Sequence, residues 1–577
     1  MFQPVLDPLG GSLAWSALVA ATPLLLFFVL LGVLRLKAQW AALSALAASV
    51  AVAVLAYEMP VGQALDSAVL GAVFGLFPIM WIVVNALWIY QLTVDTGHFE
   101  VLRRSFSRLS DDQRLQAVIV AFCFGALLEA LAGFGAPVAI SSVMLIALGF
   151  KPFKAATVAL VANTAPVAFG AMGTPVITLS RLTGIPLEDI SATVGRQTPV
   201  LATVVPLLLV FLVDGRRGLR ETWLPALACG VAFALAQFAC ANYISTELTD
   251  VVAALAAVGA LVVVMRVSRI GVPGSARGGL QPPPIIAGGS EDADPADVER
   301  VRAKAEAHAR TGSDDRPRPD DRPGAGESVD RGATVKAYIP YAVIIVVFAI
   351  SQLGPVKDLL AKGSTAFSWP GLDVADPVTG EPAGATTFTF NWLPATGTLL
   401  LLSGLITGVA LSVRPGVALR TYGRTLRQLR WAILTVATVL ALAYVMNLSG
   451  QTTTIGHWIA GAGSGLAFLS PVLGWLGVAV SGSDTSANAL FGTLQVAAAK
   501  STGLSPELLA SANSSGGVLG KMLSPQNLAI AAAATGLGGR EAELLRKVVG
   551  WSLALLLVMC VLVYLQSTPV LEWMLPN

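Results

Sequence analysis

The chain has 577 residues, of which 55% are hydrophobic and 12% charged, with a mean hydropathy of +0.72 and a formal net charge of +2. Soluble globular chains carry about 25% charged residues, so this composition excludes an ordinary soluble domain and points to a bundle in lipid. The small net charge leaves no footprint for nucleic acid. Four scattered cysteines, Cys123, Cys229, Cys240 and Cys560, have neither metal-ligand spacing nor a disulfide pattern and read as apolar packing residues.

A spanning helix needs about 20 mostly apolar residues. The first candidate, 13–34, is followed by Arg35 and Lys37. It is too long for a signal-peptide core and its positive flank is on the wrong side, so it reads as the first span. Candidates 39–57 and 74–96 come next. The apolar stretch 114–150 is longer and is interrupted by AGFGAP (132–137), which suggests a re-entrant hairpin with both ends on one side. Spans 154–181, 188–213, 222–243 and 249–266 complete an N-terminal half, 1–266. Residues 267–335 are rich in Pro, Gly, Asp and Arg and cannot bury enough apolar surface to fold alone. They read as a disordered cytoplasmic linker, with VERVRAKAEAHAR (298–310) as a short surface helix. The C-terminal half, 336–577, offers spans 336–354, 395–413 and 430–448, a second hairpin over 457–499 interrupted by SGSDTS (481–486), and spans 507–537 and 548–566. Residues 355–394 read as an external loop with short structure around TTFTFNW (386–392). The expected architecture is an all-α membrane protein of about 12 spans and two hairpins.

One segment occurs twice. ANTAPVAFGAMGTPV (162–176) aligns without a gap on ANSSGGVLGKMLSPQ (512–526), matching Ala162, Asn163, Gly170, Met172 and Pro175 to Ala512, Asn513, Gly520, Met522 and Pro525. Paired Gly/Pro-interrupted apolar segments in two halves are a pointer to a carrier's binding site. Lys and Arg set the orientation. Arg35 and Lys37, Arg103 to Arg114, Lys151 and Lys154, Arg216 to Arg220, Arg414 to Arg430, and Arg540 to Lys547 all become cytoplasmic if both hairpins are re-entrant and both termini lie outside. Lys500 is then external. On that assignment the first hairpin opens to the cytoplasm and the second to the outside, and the two copies of the repeat run in opposite directions.

Non-helical backbone at membrane depth is tolerated only when buried in protein or lining a wet cavity. The interruptions at 132–137, 163–166, 481–486 and 513–517 are therefore expected to meet at one interior place. Helix N-termini there favour an anion, and small residues let backbone approach it. The residues expected at a small carboxylate are Gly133 and Gly135, Asn163 and Thr164, Ser483, Thr485 and Ser486, and Asn513, Ser514 and Ser515. Each polar member has a plainer role in capping a half-helix or joining helices. Glu129 is costly at this depth unless paired, hydrated or protonated. It reads equally as a proton carrier and as a carboxylate that only holds the hairpin tip. Asp484 reads as a second coupling carboxylate or as the cap of the hairpin's second helix. Lys521, whose counterpart is Ala171, would neutralise a substrate carboxylate or pair with Asp484 or Glu129; the alternative is snorkelling. His457 and Tyr444 are weaker candidates, and Arg196 reads as packing or charge compensation. No Walker lysine motif, HExxH pair or Gly-x-Ser-x-Gly elbow occurs, which leaves an ATP-driven pump or an intramembrane enzyme without a basis.

At GALLEALAGFGAPVAI (125–140), ANTAPVAFGAMGTP (162–175), GSDTSANALFGTLQ (482–495) and SPQNLAIAAAATGLGGREAELLRK (524–547) the chain resembles the lactate permease family of bacterial inner-membrane carriers. The resemblance covers nearly everything but the linker, which is longer than the family's usual one. It implies uptake of L-lactate, often also D-lactate or glycolate, coupled to protons, with no other cofactor. More distantly the chain is similar to the ion-transporter superfamily of inverted-repeat carriers, in which a two-hairpin domain moves, elevator-like, against a scaffold. Partners are then the substrate, protons and lipid, and a homodimer is compatible with the sequence. A sodium-coupled carboxylate or dicarboxylate carrier is the alternative, since Asn and Ser/Thr oxygens could ring Na⁺. An anion channel or a non-transporting sensor is the rival from another class.

Overall fold

The computed structural model describes residues 1–107, 109–133, 135–270, 331–351, 353–375 and 382–576. Almost all of the linker expected at 267–335, including 298–310, lies outside these residues. Among them, ten helices are long and apolar enough to cross a membrane, or eleven if the bent pair Pro152–Ala162 and Val167–Thr183 is one span. Those ten include Gln113–Ala132 and Gln451–Ser481, which carry hairpin arms, leave out the shorter Thr396–Ala410, and count Leu187–Tyr243 once. Leu187–Tyr243 is one 57-residue run, but Asp214 and Gly215 leave helical geometry within it. The two arms lie side by side. Ser191 Oγ donates to the Ala241 carbonyl at 2.9 Å, Thr198 Oγ1 to Gln237 Oε1 at 3.3 Å, and Gly230 packs on the Thr203 backbone. Segments 188–213 and 222–243 are thus two antiparallel arms. Gly215, at φ 62, makes a turn that L side chains rarely adopt.

The helix Val61–Phe74 was not anticipated, because Gln63, Asp66 and Ser67 dilute its apolar signal. It fits against Pro415–Leu448 through glycine: Gly71 meets the Leu440–Ala441 backbone and Gly75 the Ala437 backbone. The span expected at 74–96 begins instead at Trp81, after a break at Phe77. In the loop before Thr396, Ser364–Ser368 pairs antiparallel with Thr387–Asn391, which places a two-stranded sheet at the TTFTFNW segment.

The first hairpin has arms Gln113–Ala132 and Ala136–Ala147, turning at Gly133 (φ 43) and Gly135 (φ 82). Its first arm is entirely buried within the protein, so it is shielded from lipid. The second hairpin is shorter than 457–499. Its arms are Leu466–Ser481 and Asp484–Thr502, and residues 457–465 belong to the preceding helix Gln451–Ile459 and a turn at Gly463. Ser483, not Asp484, caps the second arm, its Oγ accepting from Ser486 N at 3.2 Å. Asp484 is left free for other contacts.

The second copy of the repeat breaks at a different place from the one expected. Pro506–Gly520 is helical straight through 513–517, and the chain leaves the helix at Lys521–Ser524 before resuming over Pro525–Thr535. Gly516 and Gly520, four apart, do not loosen the helix. They let it pack against the backbone of Pro471 and Trp475 in the hairpin. The break belongs to the proline: Ser524, just before Pro525, is extended at φ −62 and ψ 137, because a pre-proline residue disfavours the helical region. The first copy breaks at the equivalent point, where Ala171, Met172 and Gly173 are left-handed before Thr174 and Pro175, and breaks once more at 163–166 as expected.

Candidate functional site

The interruptions converge. A methyl group at Gly133 would lie 3.6 Å from Ala171 and 3.9 Å from Glu129 Oε1; at Gly135 it would meet Ile530 and lie 3.1 Å from Asn527 Oδ1. At the other tip, the same probe at Gly482 would lie 3.0 Å from Gln526 Oε1 and 3.3 Å from Ser524 Oγ. Both hairpin tips therefore rest on the second copy's broken segment and the helix after it. Ser524 holds that helix start, accepting from Asn527 N at 3.3 Å, and Asn527 Nδ2 donates back to the Lys521 carbonyl at 2.9 Å.

A buried ion pair occupies the junction. Lys521 Nζ donates to Glu129 Oε1 at 2.5 Å, and Asn163 Nδ2 donates to Glu129 Oε2 at 2.9 Å. Lys521 is 6% exposed and Glu129 3%, which rules out snorkelling for the lysine. Glu129 thus links the first hairpin, the first broken helix and the second copy of the repeat. Gly170 permits this, since a Cβ there would sit 2.9 Å from Glu129 Oε1. On the second side, Ser514 Oγ donates to Asp484 Oδ2 at 2.6 Å, and Asn513 Nδ2 to Asn488 Oδ1 at 2.9 Å. Asn488 Nδ2 in turn donates to the Pro175 carbonyl at 3.2 Å, tying the second hairpin to the first copy of the repeat.

Several buried polar atoms at this junction have no hydrogen-bond partner: Asn163 Oδ1, Asp484 Oδ1 and Ser515 Oγ. Buried polar atoms are nearly always satisfied, so such a group calls for an explanation. Two of the three can only accept. The other expected residues have quieter positions. Thr164 Oγ1 donates to the Val161 carbonyl at 2.8 Å, Ser486 supplies the capped N–H, and Thr485 is half-buried. Arg196 bonds Asn242 Oδ1 and the Met574 carbonyl, a packing role. His457 bonds Ser501 Oγ and, with Tyr444, lines a separate cavity.

Sequence reasoning missed Asp250. It is fully buried, its Oδ1 accepts from Gln237 Nε2 at 3.4 Å, and its Oδ2 has no partner. Gln237 Nε2 also reaches the Ala165 carbonyl at 3.4 Å, so Asp250 is joined through one side chain to the first broken segment. The signal was present: a lone Asp opens the apolar run TDVVAALAAVGALVVV. Cys123 and Cys229, remote in sequence, touch at 3.4 Å as free thiols.

The family model for L-lactate permease matches residues 16–570. The chain belongs to the L-lactate permease family. It is a multi-pass membrane transporter and not an enzyme. It is 40% identical over 587 residues to the L-lactate permease of Escherichia coli (strain K12), covering all of both chains. It is also 40% identical over 575 residues to glycolate permease GlcA of the same strain, covering 97% of each. Among solved structures, the Alcanivorax borkumensis YdaH transporter aligns with 87% of this chain and 86% of its own, at a TM-score of 0.44 and 14% identity. In this member of the L-lactate permease family the polar junction is closed: Glu129, Asn163, Asp484, Asn513, Ser514, Ser515 and Lys521 are all buried. Three carboxylates, Glu129, Asp484 and Asp250, face a single buried ammonium, Lys521, whose charge acts on both aspartates.

Proposed function

We propose that this chain imports L-lactate and related small 2-hydroxy monocarboxylates, D-lactate and glycolate among them, by proton symport across the bacterial inner membrane. The observation that carries the reading is the mixed demand of the junction. Lys521 offers a cationic donor, while Asn163 Oδ1 and Asp484 Oδ1 are buried acceptors with no donor. A plain carboxylate answers only the first demand. A 2-hydroxy acid answers both, its carboxylate accepting from Lys521 and its hydroxyl donating to an orphaned oxygen. Gly133, Gly135, Ser483, Thr485, Ser486, Asn513, Ser514 and Ser515 shape the space around it, and Thr164 supports the first broken helix.

Burying a carboxylate without a counter-charge costs several kcal/mol. A substrate anion entering a core that already holds Glu129, Asp484 and Asp250 is therefore expected to come with at least one proton, taken by Glu129 or Asp484. The chain consists of two inverted halves, 1–266 and 336–577, in which the two hairpins and the repeat form an elevator-type transport domain that moves against the remaining scaffold. The N- and C-termini lie outside and the linker 267–335 in the cytoplasm.

The test is uptake of labelled L-lactate into proteoliposomes under an imposed pH gradient or an imposed sodium gradient. The reading expects the pH gradient alone to drive accumulation. Accumulation driven only by sodium would overturn proton coupling, and equilibration without accumulation under either gradient would indicate a channel. Glu129→Gln should slow pH-driven uptake more than lactate exchange. Equal loss of both, or of neither, would remove Glu129 as the coupling carboxylate.

A further inference from the structure

A cavity of about 1050 Å³ lies away from the Glu129–Lys521 junction, at the opposite ends of two helices that begin there. The helix Gly170–Thr183 starts against Glu129, and the helix Asp484–Thr502 starts at the Ser514 bond. They run together, joined by Asn488 on the Pro175 carbonyl and by Gly492 against Leu179. Arg181 at the end of one and Lys500 at the end of the other line the cavity. Arg181 is eleven positions beyond Gly170, roughly 16 Å at the helical rise.

Arg181 is an exposed arginine in the last turn of its apolar helix. It has no ion-pair or hydrogen-bond partner among the described residues, although its side chain opens into the cavity. By contrast, Arg114 is paired with Asp112, Asp214 and Glu221, and Arg424 with Asp95. The acid on the cavity wall, Glu247, accepts instead from Thr396 and Ser245. Tyr444 lines the same cavity and is otherwise buried, at 6% exposure. Its hydroxyl lacks a hydrogen-bond partner among the described residues. A guanidinium and a phenol hydroxyl lining one cavity, neither held by another side chain among the described residues, are a donor set for a carboxylate.

We propose that Arg181 and Tyr444 form a carboxylate-binding station in this cavity. It holds the substrate anion before the anion passes along the paired helices to the Lys521 junction, with Lys500 adding to the attracting field. The station rests on the reading of the chain as a carboxylate carrier. On the charge-derived orientation the cavity faces outward, and the station concentrates anions where uptake begins.

Two measurements test it. In initial-rate uptake of L-lactate, Arg181→Gln should raise KM about tenfold with the limiting rate within twofold, and Arg181→Lys should recover most of the loss. Wild-type KM should rise with ionic strength, and that of Arg181→Gln should change little. An unchanged KM, or a lost limiting rate at unchanged KM, would overturn the station. Separately, Ser501→Cys places a thiol on the cavity wall, while the four native cysteines are buried. L-lactate should slow its labelling by a membrane-impermeant thiol reagent, and should no longer do so when Arg181→Gln is added. Equal protection with and without Arg181, or none in either, refutes the proposal. Protection that depends on Arg181 in a protein that accumulates no lactate would keep the station and sink the transport reading instead.

Discussion

The Lys521–Glu129 pair offers a sharp quantitative test, because both partners are buried and joined by a direct ion pair. Removing one partner of a buried pair leaves an uncompensated charge and costs about 3–5 kcal/mol, whereas replacing both by neutral groups of similar volume is often nearly neutral. At about 1.4 kcal/mol per tenfold, each single variant should shift the unfolding equilibrium by roughly two to nearly four powers of ten. Lys521→Met keeps the volume and removes the charge. Glu129→Gln keeps an oxygen for Asn163 Nδ2, which now donates to Glu129 Oε2 at 2.9 Å. Both singles should therefore melt well below wild type, and the double variant Glu129→Gln/Lys521→Met should melt close to it.

The assay is thermal inactivation in detergent, followed by the folded fraction on size exclusion and read as a rank order, since such melts are often irreversible. The same proteins reconstituted for uptake separate stability from function. The double variant should be stable yet unable to take up lactate, because the ammonium assigned to the substrate carboxylate is gone. A double variant no more stable than the weaker single would show no coupling between the two residues and would refute the buried ion pair.

Two further outcomes follow from the packing. A Cβ at residue 517 would collide with Asp484 Oδ1, so Gly517→Ala should cost about 1–3 kcal/mol by overpacking and should depress lactate uptake. Gly538→Ala, with open space around the new methyl group, is the control; equal melting of the two variants would count against the Asp484 placement. Asp250→Asn keeps an acceptor for Gln237 Nε2 and removes the buried charge, so its melting point should match or exceed wild type. Asp250→Leu strands that donor and should cost about 1–3 kcal/mol; if Asn and Leu melt alike, the Gln237 bond contributes nothing.

Much of the architecture was legible because lipid restricts backbone choices so strongly. Gly133 and Gly135, and Gly482 with Ser483, mark turns inside apolar runs, and both hairpins turn there. The second repeat was harder to read. Gly516 and Gly517 look like a helix break in one dimension, but they are close-packing residues whose purpose appears only when Pro471, Val478 and Asp484 lie beside them. Pro525 was the better local signal, since its steric effect on Ser524 needs no tertiary partner. Site membership divides the same way. Glu129, Asn163, Asp484 and Lys521 stood out as polar groups at a depth where they are expensive. Which of them pair could not be read, because Lys521 had two acidic candidates at unknown distances. Val61–Phe74 and Asp250 escaped notice for opposite reasons: one has its apolar signal diluted by Gln63, Asp66 and Ser67, the other is a single acid at the start of an otherwise apolar helix.

The asymmetry between the two copies of the repeat has an energetic meaning once the pairings are known. Lys521 stands where the first copy has Ala171, and its charge is directed back across the junction to Glu129 in the first hairpin. The second hairpin's acid, Asp484, accepts from Ser514 and has no direct ion-pair partner among the described residues, with one oxygen unsatisfied. One acid is thus neutralised by the protein and the other is left to the cargo. A proton on Asp484 would satisfy that demand without adding an ion, and the substrate's own carboxylate would then compete with Glu129 for Lys521. On this view binding exchanges one carboxylate partner of Lys521 for another. Glu129 then has to take up a proton or be stranded, and that exchange would link the arrival of the anion to the arrival of a proton. The exchange itself predicts that neutralising Glu129 alone uncouples transport without abolishing lactate binding.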